Sequence, residues 1–402
     1  MKIRLPLFFL FFIASALQLR AQIQNQNWYF GSRAAVSFAG TTPTALTGSA
    51  MDTYEATASV SSATGNLLFY TNGEMVWNRN NQVMPNGGNL GGDNSSTQGA
   101  TIVQSPNDPQ SYYVFMMPET SRQNLVGGLR YFTVNMAANG GLGDAETVAT
   151  LYNPAAEKLS ERLTAVRHQN GRDVWLIAHN FPGNTFYAFL VSPAGIATVP
   201  VASSVGIVQS GGGGNFNANN SVGYLRASAD GSRLALAQRT VPPELFSFNK
   251  ATGQVSGALS LNQNTFGAFY GIEFSPDGSK LYGSTIDGYG ITQWNLAAGS
   301  AAAIVASAVR ITNAAGSFGA LATGPDGKIY ASVYTSSYLA AIPNPNALGA
   351  ACGFVGNAVF LQGATCQYGL PNAPSSFPPV RRCSPSPPPP AAPGPRWPSA
   401  PP

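Results

Sequence analysis

One short phrase returns along this chain and constrains its fold more than any other feature. Its clearest copy reads Phe274-Ser275-Pro276-Asp277-Gly278-Ser279-Lys280-Leu281-Tyr282. It returns as Ala227-Ser228-Ala229-Asp230-Gly231-Ser232-Arg233-Leu234-Ala235 and as Gly324-Pro325-Asp326-Gly327-Lys328-Ile329-Tyr330. Looser copies are Thr64-Gly65-Asn66-Leu67-Leu68-Phe69-Tyr70 and Asn170-Gly171-Arg172-Asp173-Val174-Trp175. Each joins a turn whose residues tolerate positive φ to an alternating apolar run, the pattern of a tight hairpin feeding a strand. Asp230-Gly231, Asp277-Gly278 and Asp326-Gly327 therefore read as turn residues, each aspartate accepting backbone N–H bonds. Gly171, Gly231, Gly278 and Gly327 are 60, 47 and 49 residues apart. A strand-rich unit of that size cannot bury its sheet alone and needs neighbours on both faces, which is how a β-propeller is built. The expectation is all-β: a propeller of seven four-stranded blades, with six or eight as neighbouring possibilities.

The two ends do not belong to that repeat. Lys2 and Arg4 precede an apolar run from Leu5 to Leu17, too short to span a bilayer as a mature helix, which predicts a signal peptide over 1–21. Positions 378–402 hold 12 prolines in 25 residues, the composition of extended polyproline or disordered chain. The expected propeller domain is 22–377. The opening strands, Trp28 to Phe38, lack an Asp-Gly phrase of their own and read as completing a blade begun by the C-terminal residues.

Formal charge is 21 − 17 = +4, but six basic residues lie in the two ends, leaving 15 against 17 in 22–377, or −2. A near-neutral body gives no electrostatic footprint for nucleic acid. In an exported chain, Cys352 and Cys366 read as a structural disulfide closing a local loop. Cys383 falls in the proline-rich end.

Together the phrases resemble the exported, WD40-like or YVTN-type β-propeller proteins of Bacteroidetes, which often precede polycystic-kidney-disease-type repeats and a gliding-motility sorting domain. The residues that carry the resemblance include Asn27-Trp28-Tyr29-Phe30-Gly31, Val76-Trp77-Asn78-Arg79-Asn80, Ser95-Ser96-Thr97-Gln98, Leu163-Thr164-Ala165-Val166-Arg167-His168, Gly271-Ile272-Glu273-Phe274 and Gly369-Leu370-Pro371-Asn372. The resemblance implies secretion to the outer cell surface through the type IX route, and a binding or adhesion role. No sorting domain is recognisable in this sequence, which leaves the mode of attachment open. No catalytic residues are established for the family, so none carries over.

The chemistry-bearing residues give no catalytic, cofactor or metal assignment. His168 and His179 are the only histidines and lack the third ligand or spacing of a zinc site. Glu157, Glu161 and Glu273 lie near family-like phrases, but a glycosidase needs two carboxylates converging on one sugar, which spacing does not show. Glu157 to Arg167 could form a helical turn or two. Gly211 to Asn217 lacks the strand-to-helix context and following lysine of a phosphate cradle and reads as a surface loop. The stretch around Asp93 lacks the carboxylate density of a calcium loop. The expectation is a monomeric, secreted or surface-bound binding module without cofactor. Its glycan, peptide or protein ligand sits on one end of the ring, where aromatics and asparagines stack on and hydrogen-bond it. The alternative is a polysaccharide hydrolase or lyase on the same scaffold, and two acids meeting an arginine in the central channel would favour it.

Overall fold

The computed structural model describes residues 23–261, 267–312 and 316–374. The predicted signal peptide and proline-rich end, including Cys383, lie outside these residues. Seven antiparallel sheets follow one another along the chain. Each Asp-Gly phrase forms the turn between the innermost and second strands of a blade. In blade 5, Phe269–Phe274 is innermost and pairs with Lys280–Thr285, then Ile291–Asn295, then Val309–Arg310. Blade 4 repeats the order with Leu225–Ala227, Arg233–Leu236, Glu244–Asn249 and Gln254–Ser260. Blade 6 does so with Phe318–Thr323, Ile329–Val333, Tyr338–Ile342 and Val355–Phe360. Blade 1 starts at Ala58–Ser61, blade 2 at Thr101–Gln104 and blade 3 at Lys158–Arg167. The phrase thus marks the second strand of a blade, one strand later than the spatial unit begins.

Turn chemistry explains the recurrence. Asp277 Oδ1 accepts from Ser275 Oγ at 2.7 Å and from Ser279 N at 2.9 Å, while Gly278 holds φ +69°. Asp230 repeats this with Ser228 Oγ at 2.6 Å and Ser232 N at 3.1 Å beside Gly231 at φ +71°. At Asp326-Gly327 the carboxylate accepts from Lys328 N at 3.3 Å and Tyr330 Oη at 2.8 Å. These hydrogen bonds hold both aspartates at 230 and 277 below the usual carboxylate range, against the opposing effect of burial.

The seventh blade joins the two ends of the described chain. Asn27–Phe30, Ala34–Ser37 and Thr44–Leu46 form its outer three strands. The stretch 365–373 supplies the inner edge. Ser32 and Thr365 exchange backbone hydrogen bonds of 3.0 and 3.3 Å. Farther in, Ala320 N donates to Tyr368 O at 2.7 Å, Tyr368 N to Tyr54 O at 2.9 Å and Asn372 N to Thr57 O at 2.9 Å, so the closing stretch lies between blades 6 and 1. Such close approach requires glycine: a Cβ on Gly369 would sit 1.7 Å from Glu55 O. Apolar clusters fill the spaces between blades, the largest running from Trp28 and Phe30 through Tyr270, Trp294 and Tyr330 to Leu370.

Two expectations are corrected. Lys158–Arg167 is a ten-residue strand buried over its central eight positions, not helical turns. Its alternation sends Glu161 and Arg162 to opposite faces, and tertiary packing outweighs the helical look of Lys158-Leu159-Ser160-Glu161-Arg162. Cys352 and Cys366 are both buried free thiols, not a disulfide. Cys352 ends the turn Gly349–Cys352, and Cys366 lies beyond the far end of Val355–Phe360. Six strand residues at roughly 3.3 Å each separate them by about 20 Å, against a limit of about 7 Å between bridged Cα atoms. No helix among the described residues is long and apolar enough to cross a membrane.

A Cys383→Ser chain unfolded without reductant is expected to titrate two thiols with Ellman's reagent; none would restore the disulfide. Asn372→Leu, which strands partners deep in the ring, is expected to lower stability by about 3 kcal/mol or more, read as a lower urea midpoint. An unchanged midpoint would show that the closing stretch contributes little.

Candidate functional site

The innermost strands converge on the central channel, and their first residues bring together side chains far apart in sequence. Gln98 Oε1 accepts from Leu225 N at 2.7 Å and Leu163 N at 3.2 Å, and its Nε2 donates to Asn372 Oδ1 at 3.1 Å. Asn372 Oδ1 also accepts from Arg226 Nη1 at 2.9 Å, and Asn372 Nδ2 donates to Leu163 O at 2.8 Å and Thr101 Oγ1 at 2.5 Å. Arg226 lies 3.6 Å from Glu273. This buried axis ties blades 2, 3, 4, 5 and 7 together, and the Asn372 amide adds blade 1.

Above the axis, at the end where the inner strands begin, two carboxyls flank one hydroxyl. Thr97 Oγ1 lies 2.7 Å from Glu161 Oε2 and 3.2 Å from Glu55 Oε2. One hydroxyl proton cannot serve both, so a further proton belongs to one of the acids. Glu161 accepts backbone N–H bonds from Thr97 and Thr120, each 2.8 Å, which favour its anion. The proton therefore resides on Glu55. Burial first, then the charge of Glu161, pushes Glu55 well above the usual carboxylate range, while burial raises Glu161 to about 7 despite its hydrogen bonds. The buried Tyr270 hydroxyl faces Glu55 and works against the upward push of burial on its carboxyl. Glu55, Thr97, Arg226, Tyr270 and Asn372 escaped the sequence reading as site residues, although Thr97 and Asn372 lie within two of the phrases that carry the family resemblance.

The other residues singled out from sequence act as braces. Glu157 accepts from Asn180 Nδ2 at 2.7 Å and from the Tyr187 hydroxyl. His179 donates through Nδ1 to Asn180 O at 2.7 Å, its other nitrogen facing Gln209 Nε2 at 3.4 Å. Burial and the nearby Arg162 lower His179 to about 3, so it stays neutral. His168 binds Ala251 O at 3.2 Å and accepts from Asn170 N at 3.0 Å, in the turn at the other end of the blade. No group of three or more His, Cys, Asp or Glu fit to hold a metal occurs among the described residues. Asp93 pairs with Arg122 and caps Ser95 N at 2.9 Å. Gly211 to Gly214 all hold positive φ in a surface loop.

The same end of the channel presents aromatic side chains. Tyr334 and Tyr368 stack with ring centroids 4.6 Å apart and planes 6° apart, and Tyr54 stands edge-on to both at 5.8 and 5.3 Å. Tyr368 continues inward to Tyr270 at 5.6 Å. Tyr54 is exposed, and Tyr334 and Tyr368 are half-buried. The acids and arginine do meet in the channel, but they are spent on one another and on the inner strands: Glu161, Arg226 and Glu273 are 1%, 4% and 9% exposed.

No protein-family model matches the chain, and no curated protein matches it in sequence. Among solved structures, it is similar to two proteins described as a "putative 6-phosphogluconolactonase". The one from Bacteroides uniformis has 14% identity and TM-score 0.50, covering 83% of this chain and 97% of that one. The one from Bacteroides fragilis has 11% identity and TM-score 0.50, covering 86% and 96%. A Lactobacillus plantarum protein gives 14%, 0.50, 86% and 98%. At these identities the likeness shows the fold alone.

The buried acids set a pH dependence. Burial raises Glu161, Glu244 and Glu273 each to about 7. The fold therefore holds their protons more tightly than the unfolded chain, and stability falls as pH rises from the ordinary carboxylate range to about 7. His179 acts oppositely, costing stability as pH falls below its ordinary value of 6.5. Three acids outweigh one histidine, so the melting temperature is expected to be higher at pH 5.5 than at pH 8, with the difference reduced in Glu161→Gln. A melting temperature equal at both, or higher at pH 8, would contradict this.

Proposed function

We propose that the chain is a secreted or cell-surface recognition module whose ligand, a glycan, docks at the channel end lined by Tyr54, Tyr334 and Tyr368. The observation that carries this reading is the division of labour around the axis. The charged groups inside are buried and consumed by cross-blade bonds, while the mouth presents flat aromatic rings that carry hydroxyls. Sugar rings offer apolar C–H faces for stacking and hydroxyls for such groups. The leader-like start of the sequence and its resemblance to exported propellers support a location outside the cell. That resemblance also supports delivery through the type IX route.

A hydrolase remains the second reading, on one specific observation: an acid and an anion, Glu55 and Glu161, share a hydroxyl relay at Thr97. Environments that separate two carboxyl pKa values are the pattern of acid–base pairs. The lactonase descriptions of the similar structures suggest sugar lactones as one substrate class to test. Glycan-array binding of residues 22–377 is expected to show specific ligands, with affinity falling about tenfold or more in Tyr334→Ala. Turnover of 6-phosphogluconolactone or a polysaccharide, abolished by Glu55→Gln, would replace the first reading with the second. Absence of both binding and turnover would reject both.

A further inference from the structure

We infer that residues 118–125 form a strap that gates the mouth of the channel, controlling ligand access to Glu55 and Tyr270; this rests on the glycan reading of that mouth. The connection between the second and third strands is a single residue in blade 3 and four residues in blade 6, but twelve in blade 2, positions 117–128. Its extra length crosses the inner end of blade 3. Thr120 Oγ1 meets Ser221 Oγ at 2.5 Å, just before the inner strand of blade 4, while Thr120 N donates to Glu161. Leu125 packs with Phe181, which ends the second strand of blade 3, and with Ala218, from the loop that precedes blade 4. The strap therefore lies over the carboxyl pair on one side, and the tyrosines line the mouth on the other.

Its internal bonding lets it move as a unit. The Glu119 carboxylate accepts from the backbone N–H groups of Ser121, Arg122 and Gln123, and Leu125 N donates to Glu119 O at 2.8 Å. These bonds travel with the strap. Its first half is anchored inside, by Thr120 and by the Pro118 carbonyl, which accepts from Ser96 Oγ at 3.2 Å, while the hydrogen bonds that tie 121–125 to the body are none of them fully buried. Arg122, 55% exposed along its side chain, pairs with Asp93, and such exposed pairs add little. Lys158 Nζ donates to Asn124 O at 2.8 Å. Asn124 and Leu125 hold φ of +48° and +55°, a conformation that leucine rarely adopts, so the docked position stores backbone strain. Gly127 and Gly128, both at positive φ, stand where the strap rejoins its strand, as hinge residues do.

The test needs no ligand in its first arm. By hydrogen exchange of the whole chain, peptides covering 118–125 are expected to exchange at least a hundredfold faster than those covering 158–167, and about tenfold faster again in Leu125→Ala. In a Thr97→Cys chain, the new thiol is expected to react with Ellman's reagent faster when Leu125→Ala is added. Protection of 118–125 equal to that of 158–167 in the unmodified chain would overturn the gate, even if the thiol variant fails to fold. The second arm measures association with array-identified glycans, expected to quicken in Leu125→Ala. An opening strap with no glycan bound by either chain would sink the glycan reading and leave the gate standing. Glycan binding at equal rates in both chains would overturn the gate and leave the reading.

Discussion

The fold depends on one buried side chain near its C-terminal end. Seven sheets in a ring leave the first and last free to separate unless something joins them, and most of the packing between blades presumes that the ring is closed. Asn372 supplies the join at the axis. Its amide group exhausts its hydrogen-bonding capacity on Gln98, Arg226, Thr101 and Leu163, while its backbone N–H reaches Thr57. A polar network of this kind is favourable inside a protein only when its members are partnered. Removing one member leaves the others desolvated and unpaired, so the closure behaves as a unit rather than as separate bonds. Gly369 and the backbone exchange between Ser32 and Thr365 bring the closing stretch near enough for that network to form.

The same closure decides what the channel can do. An axis filled by amide, guanidinium and carboxyl groups bonded across blades is a structural centre, and its charged groups stay dry. Desolvation keeps Glu55 protonated and leaves Glu161 as the hydrogen-bonded anion, so the carboxyl pair is compatible with burial. Recognition then falls to the mouth, where the closing stretch places Tyr368 against Tyr334 and Tyr54 and the long connection of blade 2 reaches over the acids. Blade packing thus supplies the rigid rim, and the connection of blade 2 supplies the element able to move.

The architecture was legible because its signals are local. Asp277-Gly278 and its counterparts specify turns through bonds to residues two away, and each alternating run follows at once. Closure across the termini was legible as well, from opening strands that lack such a turn. The channel was not. Glu55 and Glu161 stand 106 residues apart and meet only because inner strands of different blades converge. Glu161 and Arg162 made Lys158–Arg167 look helical, although a strand that faces a polar channel on one side and a polar seam on the other carries the same composition. The cysteines misled because sequence separation says nothing of direction: a strand running between them holds them apart.

The central claim is that the closing stretch 365–373 is locked to the inner strands of the other blades at a buried polar axis. The most direct measurement is residue-resolved hydrogen exchange of the Asn372 amide, which donates to Thr57 O. The account predicts that it exchanges only through global unfolding, with the same opening free energy as denaturant unfolding reports and as the amides of Leu163 and Leu225 show. Exchange within seconds, while those two amides remain protected, would mean that the seventh blade frays open in the native protein and that something other than Asn372 holds the ring.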